Sequence, residues 1–261
     1  MASFRAMAAA SLVSAGGAVN QSLRQKVDSA LAALGRVLLP PRCLLCAEPG
    51  HDGHDLCVAC AASLNPGYSA CAQCALPLPQ PAPACGRCLR QPPPYTHTVA
   101  AGLYQFPLDR LLPRFKFHAD LAAGRELARL LLAVAANAER PQALIPVPLH
   151  PQRLRQRGYN QAQELARPLG RALELPLRTD LLHRIRATPP QSELNAAARR
   201  RNVRGAFAVN ADALLPEHVA LIDDVMTTGA TVSECARVLR RAGVARVDLW
   251  LVARAPGRPT G

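Results

Sequence analysis

Two adjacent acidic residues near the C-terminus lie within the segment HVALIDDVMTTGATV at 218–232. The apolar run Val219–Ile222 predicts a buried strand that ends where Asp223 and Asp224 begin. Carboxylates at the end of a buried strand lower stability unless they are paired or bind something. The pair therefore indicates a binding site.

The turn that follows the acidic pair has the composition of an anion-binding turn. Its threonines supply hydroxyl donors, and Gly229 permits a positive φ or a close approach of the backbone. Consecutive N–H groups that lead into a helix N-terminus form a cradle for a phosphate. The carboxylates repel a phosphate but accept hydrogen bonds from sugar hydroxyls, so the segment predicts a ribose 5-phosphate ligand. The residues assigned to this site are Asp223, Asp224, Val225, Thr227, Thr228, Gly229, Ala230 and Thr231.

A second group of residues suited to phosphate follows the predicted strand ALIPVPLH at 143–150. The segment PLHPQRLRQRGYNQ at 148–161 is predicted to be a loop. A guanidinium group offers several planar donors to phosphate oxygens. Ligands of parallel α/β sheets bind beyond the carboxyl ends of the strands, where both segments are expected to lie. The side chains of interest here are His150, Arg153, Arg155 and Arg157.

Eight of the nine cysteines form four C-x-x-C pairs with a 28-residue repeat. Each pair turns two thiolates toward one point, and two pairs complete a tetrahedral sulfur site for zinc. Disulfides or thioredoxin-like redox chemistry explain the regular repeat less well, since no βαβ pattern surrounds it. Four thiolates leave no open coordination position, so both sites are predicted to be structural. The predicted ligands are Cys43, Cys46, Cys57, Cys60, Cys71, Cys74, Cys85 and Cys88.

The cysteine spacing leaves two ways of combining the pairs. In sequential ribbons the first pair joins the second and the third joins the fourth, whereas a cross-braced module joins alternate pairs. Sequential ribbons are the simpler arrangement. Because residues 43–90 hold few large apolar side chains, metal binding is expected to supply much of the folding energy of this module.

The chain is strongly basic, with a formal charge of +13 and an isoelectric point near 10.1. Residues 141–204 carry twelve basic and four acidic side chains. Such a surface favours phosphates, either on a small ligand or along a nucleic acid. A generic arginine-rich surface without a specific partner is the alternative.

Membrane insertion is not expected, because no apolar run reaches the roughly 18–20 residues of a membrane span. Residues 7–19 faintly resemble a signal-peptide core, but serine and glycine interrupt them. The cysteine pairs favour a reducing compartment, so a cytoplasmic location is expected. Residues 1–37 are predicted to be a poorly ordered start followed by an amphipathic helix.

Proline-rich sequence at 76–95 separates the cysteine module from the rest of the chain, because it cannot form a helix or a central strand. We place the boundary at about residue 94. The predicted domains are the start at 1–37, a double zinc ribbon at 38–94, an α/β domain at 95–254 and a tail at 255–261.

Strand-like and helix-like patterns alternate after residue 95, which predicts a parallel sheet with flanking crossover helices. Asn160 is expected to cap one helix, Pro168 to interrupt or kink it, and Gly243 to close another. The predicted strands are 97–106, 143–150, 218–223 and 245–254. The predicted helices are 119–140, 160–173 and 231–243.

The acidic pair and its turn resemble the motif that binds phosphoribosyl pyrophosphate (PRPP) in type I phosphoribosyltransferases. Three other segments, together with the cysteine pairs, resemble the ComF family, which includes GntX-type proteins. They are R-x-R-G-Y-N-Q at 155–161, FKFHAD at 115–120, and 186–207, which begins RATPPQSELN. The resemblance covers about residues 38–254.

This resemblance implies a type I phosphoribosyltransferase fold behind a double zinc ribbon, and a role in competence-related DNA uptake or DNA utilisation. PRPP would bind at the acidic pair and turn, with Mg²⁺ held mainly by PRPP oxygens and water. The arginine-rich segment would contact pyrophosphate through His150, Arg153 and Arg157. Further contacts to phosphate or DNA would come from Lys116, Arg199, Arg200 and Arg201.

Two functional classes remain open. The first is a binding protein that holds PRPP and single-stranded DNA and meets competence-type protein partners. The second is an active transferase that moves ribose phosphate onto a nucleobase or amine acceptor. The sequence identifies neither a general base nor an acceptor-reading pattern. For Lys116 and the three arginines at 199–201, a solvated surface is the alternative interpretation.

Overall fold

The computed structural model describes residues 41–64, 67–188 and 196–257. The predicted start and amphipathic helix therefore lie outside the described residues. Two compact units follow one another in the chain, the first ending at Val58 and the second beginning at Ala59.

The 28-residue sequence repeat of the cysteine module is matched by equivalent backbone hydrogen bonds. The N–H of Cys43 donates to the carbonyl of Glu48 (2.7 Å), and 28 residues later the N–H of Cys71 donates to that of Leu76 (3.0 Å). The last cysteine pair of each repeat lies at a short helix. These helices are α1 (Val58–Ser63) and α2 (Gly86–Arg90).

A four-stranded, all-parallel sheet forms the centre of the second unit, which confirms the predicted α/β class. Two short antiparallel strands form a separate pair, which the sequence patterns did not predict. The strands are β1 (Thr98–Leu103), β2 (Ala143–Pro146), β3 (Leu182–Arg184), β4 (Phe207–Val209), β5 (His218–Met226) and β6 (Arg246–Arg254). The parallel sheet has the order β1–β6–β5–β2, and β3 pairs with β4.

Helices pack around this sheet, and several of them begin at side-chain caps. The Asp120 carboxylate accepts from the N–H of Ala123 (3.0 Å), and Asn160 Oδ1 accepts from that of Ala162 (3.0 Å), as predicted for Asn160. Pro168 lies within one continuous helix, whose buried leucines offset the lost hydrogen bond. The helices are α3 (Leu108–Phe117), α4 (Leu121–Ala135), α5 (Pro151–Arg157), α6 (Gln161–Ala172), α7 (Ala196–Val203) and α8 (Ala230–Arg241).

Strand β5 is longer than the sequence predicted. The expected strand ended at the acidic pair, but pairing with β6 continues to Met226, so both aspartates lie inside the strand. The reason is tertiary: β6 is also nine residues long and offers backbone partners up to Arg254. Adjacent backbone groups thus remain paired although the side chains have become polar.

The arginine-rich segment, predicted to be a loop, contains helix α5 instead. His150 caps its N-terminus, because its Nδ1 accepts from the N–H of Gln152 (3.3 Å), and Pro151 occupies the first helical position. Gly158 ends the helix at φ 84°. Capping residues at both ends therefore stabilise this helix although it is only seven residues long.

The core of the second unit includes the second cysteine cluster. Strands β5 and β6 are largely buried, and Trp250 is 1% exposed. Cys71 and Cys85 belong to the same cluster of buried residues as Tyr95 and Met226. Within the described ranges, no helix combines the length and apolar character needed to cross a bilayer.

Candidate functional site: a turn cavity and two zinc clusters

Both groups of four cysteines form compact sulfur clusters, with all four Sγ atoms of each group within 4.8 Å of one another. The pairs combine sequentially, which resolves the two arrangements that the spacing left open. The first cluster contains Cys43, Cys46, Cys57 and Cys60, and the second contains Cys71, Cys74, Cys85 and Cys88.

The sulfur spacing fits zinc. A tetrahedron with Zn–S bonds of about 2.3 Å has edges of roughly 3.8 Å. The Sγ–Sγ distance is 3.6 Å between Cys46 and Cys57, and 3.8 Å between Cys74 and Cys85. The N–H of Cys85 also donates to Cys71 Sγ (3.1 Å), which helps to stabilise a thiolate. The chain thus has two Cys₄ zinc-binding sites, each closed by four protein ligands.

The turn after β5 encloses a small open cavity at the N-terminus of α8. Gly229 immediately precedes the helix at φ 77°, so a positive φ is one of the two roles that the sequence left open for it. A Cβ atom there would lie 3.3 Å from the Met226 sulfur. The cavity is lined by Asp223, Val225, Met226, Thr227, Thr228, Gly229, Ala230, Thr231 and Val232. Seven of the eight residues assigned to the ribose-phosphate site therefore line one cavity.

The two carboxylates of the acidic pair point to opposite faces of the sheet, because neighbouring strand residues alternate. Asp224 is buried and forms an ion pair with Lys116, with 2.8 Å between Oδ2 and Nζ. Asp223 lies on the cavity side. Lys116, from the FKFHAD segment, is thereby placed beside the acidic pair.

The charged groups of this site influence one another's pKa values. Burial and the negative charge of Asp224 together raise the pKa of the Asp223 carboxyl to about 7, although the positive charge of Lys116 acts in the opposite direction. Burial alone would lower the pKa of the Lys116 ammonium, but attraction to Asp224 and Asp223 outweighs this and raises it. A lysine with a raised pKa stays protonated and positively charged at neutral pH.

Helix α5 brings Arg157, a predicted pyrophosphate contact, near the Asp224 carboxylate. Burial lowers the pKa of the Arg157 guanidinium, Arg153 lowers it further, and the charge of Asp224 opposes them. The Arg157 guanidinium lies over the Phe117 ring at 5.8 Å from its centroid. His150 is engaged in capping the helix, so within this segment it positions the backbone.

The arginine cluster at 199–201 lies on helix α7. Arg201 is exposed, and the other two side chains lie outside the described residues. Their assigned contacts to phosphate or DNA stay a prediction.

Three arginines near the site were not predicted from the sequence. Arg184 of β3 lies over the Phe207 ring (5.4 Å), and the charge of Asp223 counteracts the lowering of its pKa by burial. Arg254 and Arg87 donate to carbonyls of the turn. Of these three arginines, only Arg254 could have been recognised from the sequence, because a charged residue at the end of a long apolar strand needs buried partners.

The chain is similar to competence protein F of Haemophilus influenzae, with 41% identity over 175 residues. The match covers 64% of this chain and 76% of the relative. The chain belongs to the ComF family.

Other similarities agree with membership of the ComF family. DNA utilization protein YhgH of Escherichia coli (strain K12) is 37% identical over 175 residues, which cover 64% of this chain and 75% of the relative. Competence protein ComFC of Streptococcus pneumoniae is 27% identical over 151 residues, 58% of this chain and 65% of the relative. Residues 34–89 match the double zinc ribbon domain family. That range contains all eight cysteines of the two zinc sites.

Proposed function

We propose that this ComF-family chain binds PRPP, or a related ribose 5-phosphate, at the turn between β5 and α8. The observation that carries the proposal is the cavity that Asp223 shares with the Gly229 turn and the start of α8. N–H groups at a helix N-terminus attract a phosphate, and an adjacent carboxylate accepts from sugar hydroxyls. Both requirements of a phosphorylated sugar are thus met within ten consecutive residues.

Cationic side chains around the acidic pair would supply the charge that a pyrophosphate group needs. Lys116 and Arg157 both interact with Asp224, and Arg153 lies close enough to Arg157 to lower its pKa. The Mg²⁺ implied by the family would be held by PRPP oxygens and water, because Mg²⁺ retains several waters. Bound there, it would neutralise charge on the pyrophosphate.

We further propose that the chain acts in DNA uptake or DNA utilisation, in the cytoplasm. The names of its relatives, competence protein and DNA utilization protein, support this role. A basic surface that includes exposed Arg155 and Arg201 suits single-stranded DNA. Competence-type protein partners are part of the same proposal.

Calorimetric titration with PRPP and Mg²⁺ tests the ligand. The wild type is expected to bind, and Asp224→Asn is expected to weaken binding at least about tenfold, because the ion pair that holds the Lys116 ammonium beside the acidic pair is lost. Asp212→Asn, an exposed aspartate elsewhere in the second unit, is the matched control. Equal PRPP affinity in the wild type and Asp224→Asn would contradict the role of the acidic pair.

An active phosphoribosyltransferase is the alternative, and the same ligand site supports it. Pyrophosphate release would be measured with PRPP, Mg²⁺ and a panel of nucleobases and amines. Release that depends on an acceptor and is lost in Asp224→Asn would favour the enzyme. Tight PRPP binding without release across the panel would favour the binding protein.

A further inference from the structure

Two arginines hold three consecutive carbonyl groups of the turn after β5. Arg254 Nη1 donates to the carbonyls of Met226 (2.9 Å) and Thr227 (2.7 Å). Arg87 Nη2 donates to the carbonyl of Thr228 (2.9 Å). The backbone of the turn is therefore fixed from one side by guanidinium groups.

Both guanidinium groups are tied to the second zinc cluster. Arg87 lies in helix α2 between the ligands Cys85 and Cys88. Arg254 is 2% exposed, and its Nε donates to the carbonyl of a third ligand, Cys74 (2.9 Å). The position of each guanidinium thus depends on the backbone that the four thiolates organise.

Holding these carbonyls fixes the direction of the N–H groups that follow them. The peptide bonds of the turn are trans, and a trans peptide directs its C=O and its N–H to opposite sides. When the carbonyls of Met226, Thr227 and Thr228 face the arginines, the N–H groups of the next residues face away. The residues that carry these N–H groups, Thr227, Thr228 and Gly229, line the cavity.

We propose that Arg87 and Arg254 are positioning residues, through which the second zinc ribbon holds the turn in its phosphate-binding conformation. The inference rests on the proposed PRPP site and adds to it a role for zinc. Without the arginines the turn must be ordered when the ligand binds, and that ordering reduces affinity. The second zinc cluster therefore contributes to the ligand site without touching the ligand.

The test compares Arg87→Ala with Arg90→Ala, which removes the same charge from an exposed position three residues later in α2. Arg87→Ala is expected to weaken PRPP binding about three- to tenfold, because one hydrogen bond that orders the turn is lost. Arg87→Lys, which keeps a donor, is expected to recover part of the loss. Arg90→Ala is expected to bind as the wild type does, and all variants should retain two zinc ions.

Hydrogen exchange of the ligand-free protein distinguishes two effects of Arg87. One is the ordering of the turn, and the other is the attraction of its positive charge for the ligand. The N–H groups of 227–229 are expected to exchange faster in Arg87→Ala than in the wild type and in Arg90→Ala. Unchanged exchange would overturn the inference, as would unchanged PRPP affinity. If the wild type binds no PRPP, the proposed function fails, whereas the exchange comparison still decides whether Arg87 orders the turn.

Discussion

Asp223 and Asp224 are neighbours in the chain, but the sheet gives them different surroundings. Asp224 is paired with Lys116 at 2.8 Å, whereas Asp223 faces the cavity, and its pKa is raised to about 7. A carboxyl group that lines a cavity and has a pKa raised by burial is typical of a functional site. In the proposed complex, Asp224 keeps the lysine in place and Asp223 is available to the sugar.

The raised pKa of Asp223 predicts a pH-dependent stability. Its pKa in the unfolded chain is about 3.9, so above that pH and up to about 7 the folded state binds more protons than the unfolded state. Stability therefore falls as pH rises through this window. Asp223→Asn removes the charge and is expected to raise the free energy of unfolding at pH 8, by at most about 4 kcal/mol.

Urea unfolding at about pH 5.5 and pH 8 checks this expectation, in a range where acid does not yet strip zinc from thiolates. The gain of Asp223→Asn over the wild type should be smaller at the lower pH. Asp212→Asn, the exposed control, should show no such dependence. An equal or larger gain at pH 5.5 would contradict the raised pKa.

At the scale of elements, the two zinc knuckles share an unusual backbone. Ala47 and Ala75 each follow the second cysteine of a C-x-x-C pair and adopt positive φ, 65° and 52°. Their N–H groups donate to the carbonyls of Cys43 (2.9 Å) and Cys71 (2.8 Å). A left-handed conformation costs a residue other than glycine roughly 1 kcal/mol, so the knuckle geometry prevails over the preference of alanine.

Replacing these alanines by glycine is expected to have unequal effects. Ala47 is exposed, so Ala47→Gly relieves the strain and should stabilise its knuckle by about 0.5–1 kcal/mol. Ala75 is 3% exposed, so Ala75→Gly also loses buried methyl contacts of about 0.8 kcal/mol and should be near neutral.

Competition with a zinc chelator measures both variants, because metal release from a knuckle reports its stability. Ala133→Gly is the control, because it makes the same substitution at an exposed helical position in α4. It should have the opposite effect and destabilise the protein by about 1 kcal/mol. A faster loss of zinc from Ala47→Gly than from the wild type would show that the positive φ carries no strain.

At the scale of the whole molecule, the charge of +13 is the dominant feature. Binding of single-stranded DNA through many arginines releases counterions, so affinity should fall steeply with salt. Replacing Arg199, Arg200 and Arg201 by alanine should weaken binding and reduce the slope of log K against log salt by about 2. Fluorescence anisotropy of a labelled oligonucleotide at several salt concentrations measures that slope.

An equal change in charge elsewhere is the control for DNA binding. Arg125, Arg167 and Arg171 are exposed on helices α4 and α6, and their replacement by alanine removes the same three charges. If both triple variants lose affinity equally, net charge alone explains the binding, and the surface assigned to 199–201 is wrong.

Several features of this protein follow from the sequence because they are local. The C-x-x-C spacing identifies the zinc ligands, since a tight turn needs only four residues to bring two thiolates together. The cap at Asn160 and the positive φ at Gly229 likewise depend on their own segments. The αβ alternation predicts a parallel sheet because strands of that kind need crossover helices.

Other features were decided by tertiary structure, because they depend on residues far apart in the chain. The length of β5 depends on β6 as its partner, and the pairing of Asp224 with Lys116 depends on the packing of α3. The contacts of Arg87 and Arg254 with the turn join the second zinc ribbon to the sheet. The sequence by itself determined which groups can bind zinc and which are predicted to bind phosphate, and the fold determined which of them lie close together.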